Sequence, residues 1–184
     1  MSAAMLLDQS QSVLLIIDIQ ERLMPAIHEG ETLVENAAWL CRLAGMLDVP
    51  MLVTEQYPKG LGSTLAALQP HLAQAQRLEK LCFSAAAEGS LADSVLAQRQ
   101  QVVIAGAEAH VCVLQTALEL QQSGKQVFVV DEAVGSRTPR NKQLALARMA
   151  QHGVQVVSGE MVAFEWLRRA GTEHFKQVSK ALIR

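Results

Sequence analysis

Residues 104–113, IAGAEAHVCV, change character halfway. They begin as the end of an apolar run, QVVIAG, then place Glu108, Ala109 and His110 before a cysteine, after which VCVLQTALELQQSG (111–124) follows with helical periodicity. A buried strand that hands over to a helix within so few residues is the joint of a β–α unit, and it raises a second question. A core cysteine is a small apolar filler inside an element. One at a strand-to-helix turn meets backbone N–H groups and a helix dipole that stabilise a thiolate.

The same alternation runs along the whole chain. VLLIID (13–18), MLVT (51–54), VVIAG (102–106), VFVVD (127–131) and VQVVS (154–158) are continuous apolar runs, and RLEKLCF (77–83) is a sixth, more charged candidate. Strands covered on both faces read this way. Helical stretches lie at 31–47, 90–99, 111–124 and 140–153, with Ser90 and Asp93 resembling a capping box and Pro139 suiting a first turn. The segment 171–184 is expected to be a last helix that docks on the body or on a partner subunit. Connections of a dozen or more residues call for parallel strands with right-handed crossovers. The expected fold is therefore α/β: a three-layer doubly wound sheet of about six parallel strands with helices on both faces, as one domain over 1–184. Ligands in such sheets bind beyond the carboxyl ends of the strands, which directs attention to the loops after Ile17, Thr54, Gly106 and Asp131.

Composition narrows the partners. Half of the 184 residues are hydrophobic, 18% are charged and the net charge is −2, leaving no electrostatic footprint for nucleic acid or an anionic membrane. The aromatics are few and dispersed, which offers no base-stacking platform. The longest apolar run, Val13 to Ile17, is too short to span a bilayer, and no basic-then-apolar leader is visible. Cys41, Cys82 and Cys112 form an odd set without CxxC spacing, which argues against a disulfide framework or a zinc site. A cytoplasmic protein with reduced thiols and a small-molecule partner is expected.

Three residues invite chemistry. Asp18 follows five apolar residues, so it is either a turn residue or a partly buried acid–base group, and Gln20 two positions on is placed to orient a ligand. Lys80 lies among Leu81, Cys82 and Phe83, as a snorkelling lysine or a buried ammonium. Cys112 stands at the joint described above, where a helix N-terminus and a nearby ammonium lower a thiol pKa. Cys41 shares an apolar helix stripe with Ala37, Ala38 and Ala44 and reads as core. Cys82, on a strand, would share a face with Lys80 and approach Cys112. His110 is either a substrate donor or a helix-start histidine bonded to backbone, and the Glu108 carboxylate points away or pairs with a cation.

Four pieces then fall in order: D-x-Q (Asp18, Gln20), K-x-x-F-S (Lys80, Phe83, Ser84), G-x-E-x-H-x-C-V (Gly106 to Val113) and D-E-A-V-G-S-R (Asp131 to Arg137). Over roughly residues 12 to 165 the chain resembles the isochorismatase-like superfamily of cysteine hydrolases, which includes nicotinamidases and carbamoyl hydrolases. The resemblance implies a catalytic triad of Asp18, Lys80 and Cys112, a cis peptide before Glu108, and an oxyanion hole from the backbone N–H groups of Glu108 and Cys112. It also implies a homo-oligomer, a dimer or larger. The nicotinamidase branch holds a metal through an Asp-x-His pair after strand two. Here that segment reads TEQYPKGLGSTLAAL, without histidine or aspartate, so no metal and no cofactor are expected. The same segment supplies Gln56 and Tyr57 as pocket candidates, beside Phe83.

The leading expectation is a cysteine hydrolase acting on a small amide or related C–N bond through a thioacyl enzyme. The alternatives are a thiol redox protein using Cys112 and Cys82, or an idle scaffold or binding subunit. A dinucleotide site is disfavoured because no G-x-G-x-x-G follows the first strand.

Overall fold

A computed structural model describes residues 6–183; residues 1–5 and Arg184, which belong to the expected 1–184 domain, lie outside the described residues. The strands are β1 (Ser12–Ile17), β2 (Met51–Gln56), β3 (Gln76–Lys80), β4 (Gln101–Ala107), β5 (Gln126–Gly135) and β6 (Gln155–Val157). They form one all-parallel sheet in the order β3-β2-β1-β4-β5-β6. The helices are α1 (Gly30–Met46), α2 (Pro58–Leu61), α3 (Leu114–Gln122), α4 (Pro139–Gln151), α5 (Gly159–Leu167) and α6 (Glu173–Val178). Helices α1, α5 and α6 pack on one face of the sheet and α3 and α4 on the other, so the expected three-layer α/β architecture is the one the chain adopts.

Strand β1 shows why its sequence is apolar throughout. All six of its side chains are fully buried. Leu14 and Ile16 enter the layer under α1, while Val13, Leu15 and Ile17 enter the layer under α3 and α4. Each such side chain contributes about 1.5–3 kcal/mol on leaving water. The one polar member, Ser12, is satisfied: its hydroxyl donates to the Asp8 carbonyl (2.7 Å) and accepts from the Trp166 indole N–H (2.9 Å), which ties α5 to β1.

The order places the site. From β1 the chain winds outward through β2 and β3, then crosses back to β4 and winds the other way. The crevice of such a sheet opens where that direction reverses, beyond the carboxyl ends of β1 and β4. The two strands approach unusually closely there. Gly106 has φ +146°, and a Cβ on it would stand 2.2 Å from the Ile17 carbonyl oxygen.

Two expected elements come out differently, and one helix is new. Residues 90–99 do not form a helix: two short 3-10 turns, Gly89–Asp93 and Val95–Gln98, break at Ser94, which is extended (φ −89°, ψ 167°). The Ser94 hydroxyl donates to the Leu91 carbonyl and accepts from the Leu96 N–H, a local alternative to helical bonding; no side chain caps the turn at Glu88, so the Ser90–Asp93 box is not made. The strand expected at 77–83 is β3, and it stops at Lys80, because the N–H groups of Leu81 and Cys82 donate to the Glu88 carboxylate (2.7 and 2.8 Å) and leave the ladder. Helix α5 was not expected: Ser158, read as the end of a strand, caps it by accepting from the Met161 N–H. The C-terminal segment docks as expected over its described residues, through α6 and a π-helical turn (Ser179–Ile183) against α1. The Trp39 indole N–H donates there to the Leu182 carbonyl.

Candidate active site

Asp18 follows the last residue of β1 with φ 53°, a left-handed conformation that aspartate tolerates better than most residues. The turn buries its carboxylate completely and aims it under the end of β2. Thr54 Oγ1 donates to Asp18 Oδ1 at 2.7 Å, and the Asp18 N–H donates to the Thr54 carbonyl at 3.1 Å. Thr54 is fully buried in a run that reads as plain strand, and no local signal marks it as part of a site.

Lys80 closes β3 and is likewise buried, so it is not a snorkelling side chain. Its ammonium nitrogen lies 2.8 Å from Asp18 Oδ2. Its hydrogen bonds go elsewhere: to Gln56 Oε1 (2.6 Å), the Phe83 carbonyl (2.9 Å) and the Cys82 carbonyl (3.2 Å). An ammonium has three protons, and these three acceptors account for them. Asp18 Oδ2 accordingly has the lysine's charge beside it but accepts no hydrogen bond from any described residue.

Gln20 and Gln56 turn out to hold this arrangement together. The Gln20 amide accepts from the Gln56 N–H (2.8 Å) and donates to the Gln56 carbonyl (3.0 Å) and the Gly62 carbonyl (2.8 Å). The expectation that Gln20 orients a ligand is not met, since its side chain is fully buried and its bonds go to main chain. Gln56 bonds the Lys80 ammonium through Oε1 and the Leu81 carbonyl through Nε2 (2.8 Å).

Cys112 sits between β4 and α3 in a π-helical turn, Ala109–Val113, so the strand-to-helix joint is where the sequence places it. Its thiol faces Asp18 and Lys80, whose charges act on it in opposite senses. The expected acidic thiol is not found. Burial, reinforced by the Asp18 carboxylate and opposed by the Lys80 ammonium, pushes the Cys112 thiol up to about 12. The thiol therefore stands protonated, beside a carboxylate oxygen with an unused lone pair. The Ala107–Glu108 peptide is cis, and the buried Glu108 carboxylate pairs with Arg137.

The sequence profile described as Isochorismatase domain matches residues 12–161. The chain belongs to the isochorismatase family. Isochorismatase-family proteins are in general hydrolases. Isochorismatase domain-containing protein 2A of Mus musculus is 38% identical over 172 residues, covering 93% of this chain and 82% of its own. Among solved structures, the MAR1 ribonuclease of Caenorhabditis elegans superposes with a TM-score of 0.91 at 32% identity, covering 97% of this chain and 92% of its own. The YcaC gene product of Escherichia coli, described as an octameric hydrolase of unknown specificity, superposes with a TM-score of 0.85 at 26% identity, covering 92% and 85%.

The remaining isochorismatase-family candidates separate. Tyr57, half exposed, joins Pro58, Lys59, Glu79, Leu81 and Glu88 around a cavity of ≈ 330 Å³ whose wall includes Lys80. Phe83 is exposed and contributes its carbonyl to Lys80. The His110 ring is engaged by Ser136 Oγ (2.9 Å) and Asn141 Nδ2 (3.4 Å). Cys41 is buried in the layer under α1, as expected. Cys82 lies outside the strand, exposed, and the Glu88 carboxylate beside it raises its thiol pKa; it does not share a strand face with Lys80. Among the described residues no group of three or more His, Cys, Asp or Glu side chains is gathered as a metal would need, and no helix is long and apolar enough to cross a membrane.

Proposed function

We propose that this isochorismatase-family protein is a cysteine hydrolase of a small amide or related C–N bond, with Asp18, Lys80 and Cys112 as its catalytic triad. The observation that carries the reading is Asp18 Oδ2, a buried carboxylate oxygen with a cation beside it, no hydrogen bond, and a protonated thiol facing it. A thiol held near 12 is a poor nucleophile until its proton has a destination. Asp18 takes that proton as Sγ attacks the substrate carbonyl carbon, while Lys80 keeps its own protons and stabilises Asp18 whenever it is ionised. The carbonyl oxygen becomes an oxyanion facing the backbone N–H groups of Glu108 and Cys112; one such donor is worth about 3–4 kcal/mol elsewhere. Asp18 then protonates the departing nitrogen, the C–N bond breaks, and a thioacyl enzyme remains. Water, deprotonated by Asp18, attacks the thioester, releasing the acid and returning the proton to sulfur.

The test is a screen of small amides, ureides and carbamoyl compounds for ammonia release, with Cys112→Ala as control. Turnover that depends on Cys112 is expected; turnover that survives its loss overturns the reading. The nematode neighbour is called a ribonuclease, so an RNA arm belongs in the screen, where the net charge of −2 leads us to expect no cleavage. The octameric E. coli neighbour supports a homo-oligomer, to be tested by light scattering.

A further inference from the structure

We propose that Gln56 is a positioning residue: its side-chain amide, springing from a main chain that Gln20 holds, directs the Lys80 protons onto uncharged oxygens and so keeps Asp18 Oδ2 free for the Cys112 proton. This deepens the hydrolase reading above and rests on it.

The argument is one of donors and acceptors. An ammonium 2.8 Å from a carboxylate oxygen would ordinarily donate to it. Here the contact is an ion pair without a directed hydrogen bond, and three neutral acceptors, one amide oxygen and two main-chain carbonyls, match the ammonium's three protons. The two carbonyls belong to the segment that follows β3, but the amide oxygen reaches across from β2 and has a fixed sense. Reversing the Gln56 amide would set its NH2 against the ammonium and its oxygen against the Leu81 carbonyl, and both contacts repel. The Gln20 amide holds the Gln56 peptide at its N–H and its carbonyl, so the side chain springs from an anchored point. The ionisable groups facing Lys80 are Asp18 after β1, Cys112 on the π-helical turn, and Cys82 and Glu88 on the segment after β3.

Two substitutions then give different signatures. Gln56→Glu keeps the acceptor but adds an anion, so the Lys80 charge is shared and ionised Asp18 is favoured less. Gln56→Met removes the acceptor, and the proton it leaves behind turns to Asp18 Oδ2, occupying one of its lone pairs and lowering its basicity towards the thiol proton. A residue that only filled space would lower stability and give neither effect.

The probe is iodoacetamide, whose alkylation of Cys112 is followed by peptide mass from pH 4.5 to 9 in Cys82→Ser protein, with thermal unfolding recorded for each variant. Gln56→Glu is expected to move the acid limb of the rate profile up by about one pH unit, and Gln56→Met to lower the plateau about tenfold without moving the limb. Wild-type limbs and plateaus in both variants would overturn the proposal. Asp18→Asn separates the two levels of the argument. If it leaves the profile unchanged, the acid–base reading itself fails; if it removes the limb while both Gln56 variants track wild type, only the role of Gln56 fails. The wild-type protein gives a check free of substitutions: the Lys80 ammonium should show a slowly exchanging 15N–1H signal at neutral pH, and an ammonium in fast exchange with water overturns the proposal.

Discussion

Thr54 holds Asp18 at both ends: its hydroxyl donates to Asp18 Oδ1 at 2.7 Å while its carbonyl accepts the Asp18 N–H. Replacing it with the isosteric valine leaves the main-chain bond and strips the buried carboxylate of its one directed donor. Thr54→Val is expected to cost about 1–3 kcal/mol in urea unfolding and to slow Cys112 alkylation, whereas Thr54→Ser keeps both near wild type. A valine variant as stable and reactive as the parent would show the hydroxyl to be dispensable.

Cys112 and Cys41 are both nearly inaccessible and both pushed up to about 12 by burial, yet only Cys112 faces a carboxylate able to accept its proton. In Cys82→Ser protein near neutral pH, iodoacetamide is expected to label Cys112 far faster than Cys41. Equal rates in the folded protein would remove the special status of Cys112.

The same two thiols set an alkaline limit on stability. Their folded values lie above the ordinary 9.0, so the unfolded chain releases two protons that the folded chain still holds. Their contribution is complete below pH 9.0 and is lost as pH rises towards about 12. Unfolding free energy should therefore fall with pH above 9, and Cys41→Ala should flatten that slope. A flat profile in the parent protein contradicts the assignment.

Gly106→Ala should be among the most damaging single-atom additions. The new methyl would meet the Ile17 carbonyl, main chain that cannot swing aside, at a φ that side chains rarely adopt. A loss of more than about 3 kcal/mol or failure to fold is expected. Soluble, native-like protein with unchanged melting would mean that the β1–β4 seam is looser than described.

Chelator treatment is expected to leave alkylation of Cys112 unchanged, because the end of β2 and the turn after it offer Gln56 and Tyr57 in place of a metal-binding pair and, among the described residues, no metal-holding group of His, Cys, Asp or Glu side chains is gathered. Loss of reactivity restored by one equivalent of a divalent ion would contradict this.

What could be read from the chain beforehand follows from how local each signal is. The apolar runs of β1 and β4 announce themselves because both faces of those strands are buried. Asp18, Lys80 and Cys112 stand where such runs end, and their order along the chain marks the family. Ser94 and Ser158 give no warning, because a serine that breaks or caps a helix looks the same in sequence as one inside a helix or at the end of a strand. Gln20 and Gln56 read as ligand contacts in the sequence, although the Gln20 amide bonds the main chain of Gln56 and Gly62 and the Gln56 amide bonds Lys80 and the Leu81 carbonyl, groups brought near only by the fold. The acidity of Cys112 came out with the opposite sign, since a turn's N–H groups are visible in the sequence but the depth of burial that outweighs them is not.

The alternation along β1 makes the sheet a partition. Leu14 and Ile16 lie on one side of it with Cys41, while Val13, Leu15 and Ile17 lie on the other with Cys112. Damage to the first compartment can weaken the fold while leaving the thiol's immediate neighbours in place; damage to the second reaches the walls of the site itself. An engineer seeking a sturdier protein of unchanged reactivity would therefore recruit substitutions under α1, and one seeking a new substrate would work across the sheet, with little epistasis between the two campaigns.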